Sequence, residues 1–159
     1  MIIIGYQGIG KSTLAGKNNC IDLESGNFWV DGKRADDWYK PYCQIANHLS
    51  EQGYTVFTSS HEVVRNELKN SKEKVFIVFP ATWLKDKWIK KLSDRYESTG
   101  LIKDFKAWKN AEERYTDNIM ELMGSGFEFY NIKDIDYDLN SIVGILNEIC
   151  QKEKGDKDD

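Results

Sequence analysis

The chain has 159 residues, 40% hydrophobic and 30% charged, with a formal net charge of −4; this fits one folded domain and argues against stable nucleic-acid binding, which favours the opposite sign. Three scattered cysteines and two histidines give no Cys-x-x-Cys pair and no Cys/His cluster, which argues against a disulfide framework and a structural zinc site. The apolar opening Met1–Ile4 is too short for a signal peptide, and no stretch reaches the ~18 apolar residues of a membrane span, so the default compartment is the cytoplasm and no membrane association is expected.

Ile2, Ile3 and Ile4 form a β-branched run that stops at glycine, the pattern of a strand buried on both faces. Ser12 to Gly16 reads as a brief helix, and CIDLES (20–25) as a second strand closed by Ser25, followed by the loop GNFWVDGKRADD. From Asp36 or Asp37 onward, Trp38, Tyr42, Ile45, Ala46 and Leu49 fall at helical spacing; Pro41 is tolerated only near the start of that helix, and Gly53 ends it. TVFTSS (55–60) reads as a third strand, HEVVRNELKN as a helix, and KVFIVFP (74–80) as a fourth strand stopped by Pro80. Trp83, Leu84, Trp88 and Leu92 mark an amphipathic helix whose lysines (Lys85, Lys87, Lys90, Lys91) read as its solvated face. After a Ser-Thr-Gly turn, Phe105, Trp108, Ala111, Tyr115, Ile119 and Leu122 mark a longer helix, FEFYNI (127–132) a fifth strand, and Leu139, Ile142, Val143, Leu146 and Ile149 a last helical face. Residues 152–159 are polar and are expected to be a disordered tail, which leaves a single domain over 1–151. Strands alternating with helices predict an α/β fold: a five-stranded parallel sheet with helices on both faces.

Gly5, Gly10, Lys11 and Ser12 meet the pattern G-x-x-x-x-G-K-[ST], and they do so after a strand and before a helix, where a phosphate-binding loop belongs. The chemistry needs these residue types. Glycines let the backbone curl until successive N–H groups face phosphate oxygens, and the helix that follows adds the positive end of its dipole. The nucleotide-binding candidates are therefore Gly5, Gly8, Ile9, Gly10, Lys11, Ser12 and Thr13. Lys11 would reach the β- and γ-phosphates of ATP, Ser12 would offer its hydroxyl to Mg²⁺, and Thr13 could bond an α-phosphate. The bland alternative is a glycine turn carrying a surface lysine.

On this motif and the order of its elements, the chain resembles a small P-loop kinase of the nucleoside monophosphate kinase type, a group that includes shikimate and gluconate kinases. The resemblance implies a P-loop NTPase fold with the loop after the first strand. It also implies an acceptor site built from the ends of strands two and three, and a mobile lid after the fourth strand's helix. No guanine-reading Asn-Lys-x-Asp is present; TSSHEVVR stands where adenylate-type kinases carry Asp-Gly-x-Pro-Arg, and no apolar run ends in an aspartate of Walker B type.

Beyond the loop, Asp22 and Glu24 fall at the end of the second strand, where sheets of this kind place ligands. Either carboxylate could hold an acceptor hydroxyl or reach Mg²⁺ through water, with Asp22 the stronger candidate. Thr58, Ser59, Ser60 and His61 follow the apolar part of the third strand; Ser60 could bind substrate, one serine could cap the helix, and His61 reads first as a helix-start residue and only second as a base. Arg65, one turn on, lies where the resembled kinases hold the acceptor's anionic group, a task that suits guanidinium's bidentate fork. The resemblance also assigns Arg95 and, second, Arg114 to charge neutralisation on the moving phosphoryl group. Trp83, Trp88 and Trp108 read as packing residues, whereas Phe28 and Trp29, in the loop after strand two, could stack on an acceptor base. The expected activity is ATP-Mg²⁺-dependent phosphoryl transfer to a small-molecule acceptor, a nucleoside or deoxynucleoside monophosphate first and a hydroxylated small acid or sugar second. The competing class is a nucleotide-binding module with little turnover. Oligomeric state is left open.

Overall fold

In the computed structural model, which describes residues 1–158, the chain forms β1 (Ile2–Gly5), α1 (Lys11–Leu14), β2 (Cys20–Asp22), α2 (Tyr39–Glu51), β3 (Thr55–Thr58), α3 (Glu62–Leu68), β4 (Val75–Pro80), α4 (Lys85–Thr99), α5 (Ile102–Met123), β5 (Glu128–Ile132) and α6 (Leu139–Asp158). Short 3₁₀ turns at Ser25–Phe28 and Thr82–Leu84 complete it. The five strands make one all-parallel sheet in the order β2-β3-β1-β4-β5. β1, β3 and β4 are buried at every position. Because successive residues of a strand face opposite sides, such strands are covered on both faces. The cover comes from Tyr42, Cys43 and Ala46 of α2, Val64 and Leu68 of α3, Trp88 and Leu92 of α4, Ala111, Tyr115 and Ile119 of α5, and Leu139, Ile142, Val143 and Leu146 of α6.

The strand order positions the site. From β1 the chain runs to β2 at one edge; from β3 it crosses back over β1 to β4. With right-handed crossovers these two connections leave on opposite faces, which opens a crevice between the carboxyl ends of β1 and β3.

Several boundaries differ from the sequence reading. β2 ends at Asp22, although Leu23 still donates its N–H to Phe57 O at 2.9 Å, and Glu24 and Ser25 turn out of the sheet. β3 ends at Thr58, leaving Ser59 and Ser60 free to point their groups into the crevice region. The segment expected to be a mobile lid is helical to Thr99, closed by Gly100 at a φ of 66°, and packed against α5 through Tyr96, Phe105 and Trp108. Trp83, expected in a packed face, is 68% exposed and only its indole N–H is engaged, on Lys133 O. The polar stretch expected to be a disordered tail instead continues α6 through Asp158, tied to the sheet by Lys74, which pairs with Glu153 at 3.0 Å and Glu128 at 2.6 Å; Asp159 lies outside the described residues. Cys20, Cys43 and Cys150 are buried, free thiols. Among the described residues no helix is long and apolar enough to cross a membrane.

Candidate functional site

The loop between β1 and α1 leaves the sheet with Tyr6 N–H on Val78 O (3.0 Å), then turns twice through left-handed backbone at Gly8 (φ 88°) and Gly10 (φ 105°). A side chain at either position would be strained, so glycine is needed at both for the path of the chain. Lys11 folds back across the crevice. Its ammonium donates to Gly5 O at 3.1 Å, at the end of β1, with a longer 3.5 Å contact to Thr58 O, at the end of β3. An ammonium has three donors, so one is left over. Burial pushes the Lys11 pKa down, and Asp22 and Glu24 partly oppose that shift.

The loop's carbonyls are fastened from outside. Trp88 donates its indole N–H to Gln7 O (2.9 Å), and the Tyr137 hydroxyl donates to Ile9 O (2.6 Å). The two rings stack at 5.8 Å and 16°, and the Lys91 ammonium lies 4.4 Å from the Trp88 ring and 4.6 Å from that of Tyr137, donating to the Tyr137 hydroxyl at 2.7 Å. Burial pushes Lys91 down to about 8. Beyond this clamp a groove of about 250 Å³ runs between Gly10 and Thr13 on one side and Tyr137 and Leu139 on the other.

On one flank of Lys11, a cavity of about 180 Å³ brings together Ser12, Asp22, Glu24, Arg95 and Asp104. Burial and the neighbouring Glu24 raise the Asp22 pKa to about 6, against the lowering pull of Lys11. Arg95 is held there by Asp104 (Nε to Oδ1, 3.1 Å), a carboxylate only 4% exposed that also accepts from Thr99 Oγ1. Among the described residues no group of three or more His, Cys, Asp or Glu is arranged to hold a metal. A hard divalent ion needs less than that when phosphate oxygens complete its shell: the Ser12 hydroxyl and the Asp22 carboxylate, sharing one cavity, fit Mg²⁺.

On the other flank, a cavity of about 460 Å³ is walled by Gln7 and Lys11 from the loop, Ser59 to Glu62 and Arg65 from the β3–α3 junction, and Asn110, Arg114, Asn118 and Glu121 from α5. Arg65 is 7% exposed; its Nε donates to Ser60 O (3.0 Å) and its fork pairs with Glu121. Arg114 occupies a break in α5, with φ −136° and ψ 16°, and faces the same cavity. The amides form a chain: Gln7 Nε2 donates to Ala107 O (3.1 Å) and Asn110 Oδ1 (3.2 Å), and Asn118 Nδ2 to the same Asn110 oxygen (2.7 Å).

The sequence-predicted residues thus fall into three groups. Lys11, Ser12, Asp22, Glu24 and Arg95 converge with the loop, and Ser60, Arg65 and Arg114 converge beside it. Arg114 lines the larger cavity together with Lys11 and Arg65. Asp22 and Glu24 open into the smaller cavity, and the walls of the larger one come from the loop, the β3–α3 junction and α5. Phe28 does not face either cavity: its ring packs on Trp38 (6.2 Å) and Tyr42 (5.6 Å), anchoring its loop to the core, and the stacking role is corrected accordingly. Sequence reasoning missed Gln7, Asn110, Asn118 and Tyr137 altogether, and filed Lys91 with the solvated lysines. Its spacing of three from Trp88 was the available signal, since residues three apart share a helix face. No protein-family model matches the chain, and none of the curated proteins compared matches it.

Proposed function

We propose that the protein transfers the γ-phosphoryl group of ATP-Mg²⁺ to a small anionic acceptor. The observation that carries this reading is Lys11, presented by a loop of phosphate-binding pattern at the crevice between β1 and β3, with one cavity on each flank. The triphosphate would lie along the loop, its nucleoside in the groove beside Tyr137, and the acceptor in the 460 Å³ cavity. Arg65 and Arg114 would hold the acceptor's anionic group, and Lys11 and Arg95 would face the charge that develops during transfer. Mg²⁺, when bound beside Ser12 and Asp22, supplies further neutralisation of phosphate charge. Holding donor and acceptor on either side of one lysine turns an encounter between two solutes into a step within one complex.

A nucleoside or deoxynucleoside monophosphate is the acceptor to which the resemblance points. A hydroxylated small acid or sugar is the alternative, supported by the hydrogen-bonding side chains of Gln7, Ser60, Asn110 and Asn118 in the cavity wall. The competing class, a nucleotide-binding module, draws on the absence of an acidic residue at the end of β4, which closes on Phe79 and Pro80. The deciding experiment measures ADP release with ATP and Mg²⁺ across ribo- and deoxynucleoside monophosphates, gluconate and shikimate. Acceptor-dependent release is expected. ATP binding without any acceptor-dependent release would move the assignment to the module.

A further inference from the structure

We propose that His61 takes the proton of the acceptor's hydroxyl, which makes that acceptor an alcohol rather than a phosphate. The inference rests on the phosphotransferase reading above and deepens it.

The His61 ring is held from two sides, by Ser59 and by Trp38. Ser59 N–H donates to the Tyr42 hydroxyl (2.9 Å), which donates in turn to Leu23 O (2.6 Å), so α2 and the end of β2 fix the backbone on which Ser59 rides. Ser59 Oγ lies 2.8 Å from His61 Nδ1. Trp38 meets the imidazole edge-on, with centroids 5.4 Å apart at 82°. Nε2 has no hydrogen-bond partner among the described residues, and the ring lines the 460 Å³ cavity together with Lys11. In the tautomer that donates Nδ1–H to Ser59, Nε2 carries a lone pair.

Burial, and after it the charges of Arg34 from the β2–α2 loop and of Lys11, lower the His61 pKa from its ordinary value. Arg65 on α3 and Arg114 on α5 face the same cavity with the same sign, and Glu62 and Glu121 oppose them. A neutral imidazole at neutral pH is a usable base.

The step balances as follows. The acceptor oxygen forms a bond to the γ-phosphorus while the bond from that phosphorus to the β,γ-bridging oxygen breaks, and ADP leaves with the electron pair. The hydroxyl proton moves to Nε2 and is lost to solvent after release. A phosphate acceptor already ionised at neutral pH has no proton to give, and for it this base would be idle.

The test compares kcat and kcat/KM against pH for wild type and H61N, which keeps an N–H for Ser59 and removes the base. With a hydroxylated acceptor, wild-type activity should fall at acid pH through protonation of His61 as well as of Asp22. H61N should lose about 10²-fold in kcat and leave only the Asp22 part of that fall, while the KM for ATP stays unchanged. Activity within about threefold of wild type, or an acid limb of the same midpoint and steepness as that of wild type, would overturn the proposal. A monophosphate as the sole acceptor would also overturn it and leave the phosphotransferase reading intact. Absence of turnover with every acceptor would sink that reading instead, and nitrogen NMR of the histidine-labelled protein then decides about the ring. The chain has two histidines, so H61N assigns the signal. A neutral ring protonated on Nδ1 at pH 7 supports the proposal, and a proton on Nε2 defeats it.

Discussion

The glycine-lysine loop and the 460 Å³ cavity share Lys11 and are built in opposite ways. The loop is one contiguous stretch, Gly5 to Thr13, whose work is done by backbone path: two left-handed glycines and a lysine folded back on the carbonyl of Gly5. The cavity is gathered from distant segments, with the Gln7–Asn110 contact joining positions 103 apart, and its work is done by side chains. A site made of backbone tolerates change around it as long as its glycines remain. A site made of distant side chains can be retuned one residue at a time, and its specificity is correspondingly exposed to single substitutions.

Lys11→Ala should break the shared point and have the largest effect. ATP-dependent turnover is expected to fall by roughly 10²-fold or more, as when a preorganised charge is removed from a transferring group. Titration calorimetry with ATP-Mg²⁺ checks the binding part, and affinity equal to wild type would remove the loop from the proposal.

Arg65→Ala should separate the two regions. It is expected to raise the acceptor KM by roughly tenfold to a hundredfold, the loss of a charge-assisted hydrogen bond, with the KM for ATP nearly unchanged. Equal changes in both constants would assign Arg65 to holding Glu121 and α5 in place.

Tyr137→Phe sharpens the comparison from the other side. It removes the hydroxyl from Ile9 O and from Lys91 and should cost about 1 kcal/mol of stability by urea unfolding. The KM for ATP should rise by a few-fold and the acceptor KM should not move.

The smallest effect is a pH dependence. Asp22 has its pKa raised to about 6 in the fold, above its ordinary 3.8. The folded state therefore binds more protons than the unfolded state between those values, and stability should decline as pH rises from about 4 to about 6. Asp22→Asn should flatten that decline. Urea midpoints at several pH values check this, and an identical slope in both proteins would show that Asp22 is not its source.

The sequence by itself determined the elements that depend on local pattern. The Ile2–Ile4 run, the Val75–Phe79 run and the glycine-lysine loop each encode their structure within a few residues, through β-branched burial and through φ values that glycine reaches cheaply. That Lys11, Ser12 and Asp22 come together was legible for a related reason: each lies near a strand end, where parallel sheets expose ligand-facing groups, whereas Arg65 was singled out through the resemblance. Tertiary structure alone decided the rest. Phe28 could have faced a ligand or the core, and only the meeting of its loop with Trp38 and Tyr42 settled that it faces the core. Lys91 could have been solvated, but Tyr137, brought from 46 positions away, gave it a second aromatic face. Arg114 joined Arg65 because α5 breaks at that residue and lies across the β3–α3 junction. The tail's helix followed from Lys74 reaching Glu153. For Lys91 and Glu153 the partners lie 46 and 79 positions away, so no short window of sequence contains both; Phe28's partners are nearby, but only the folded path of its loop brings the rings together.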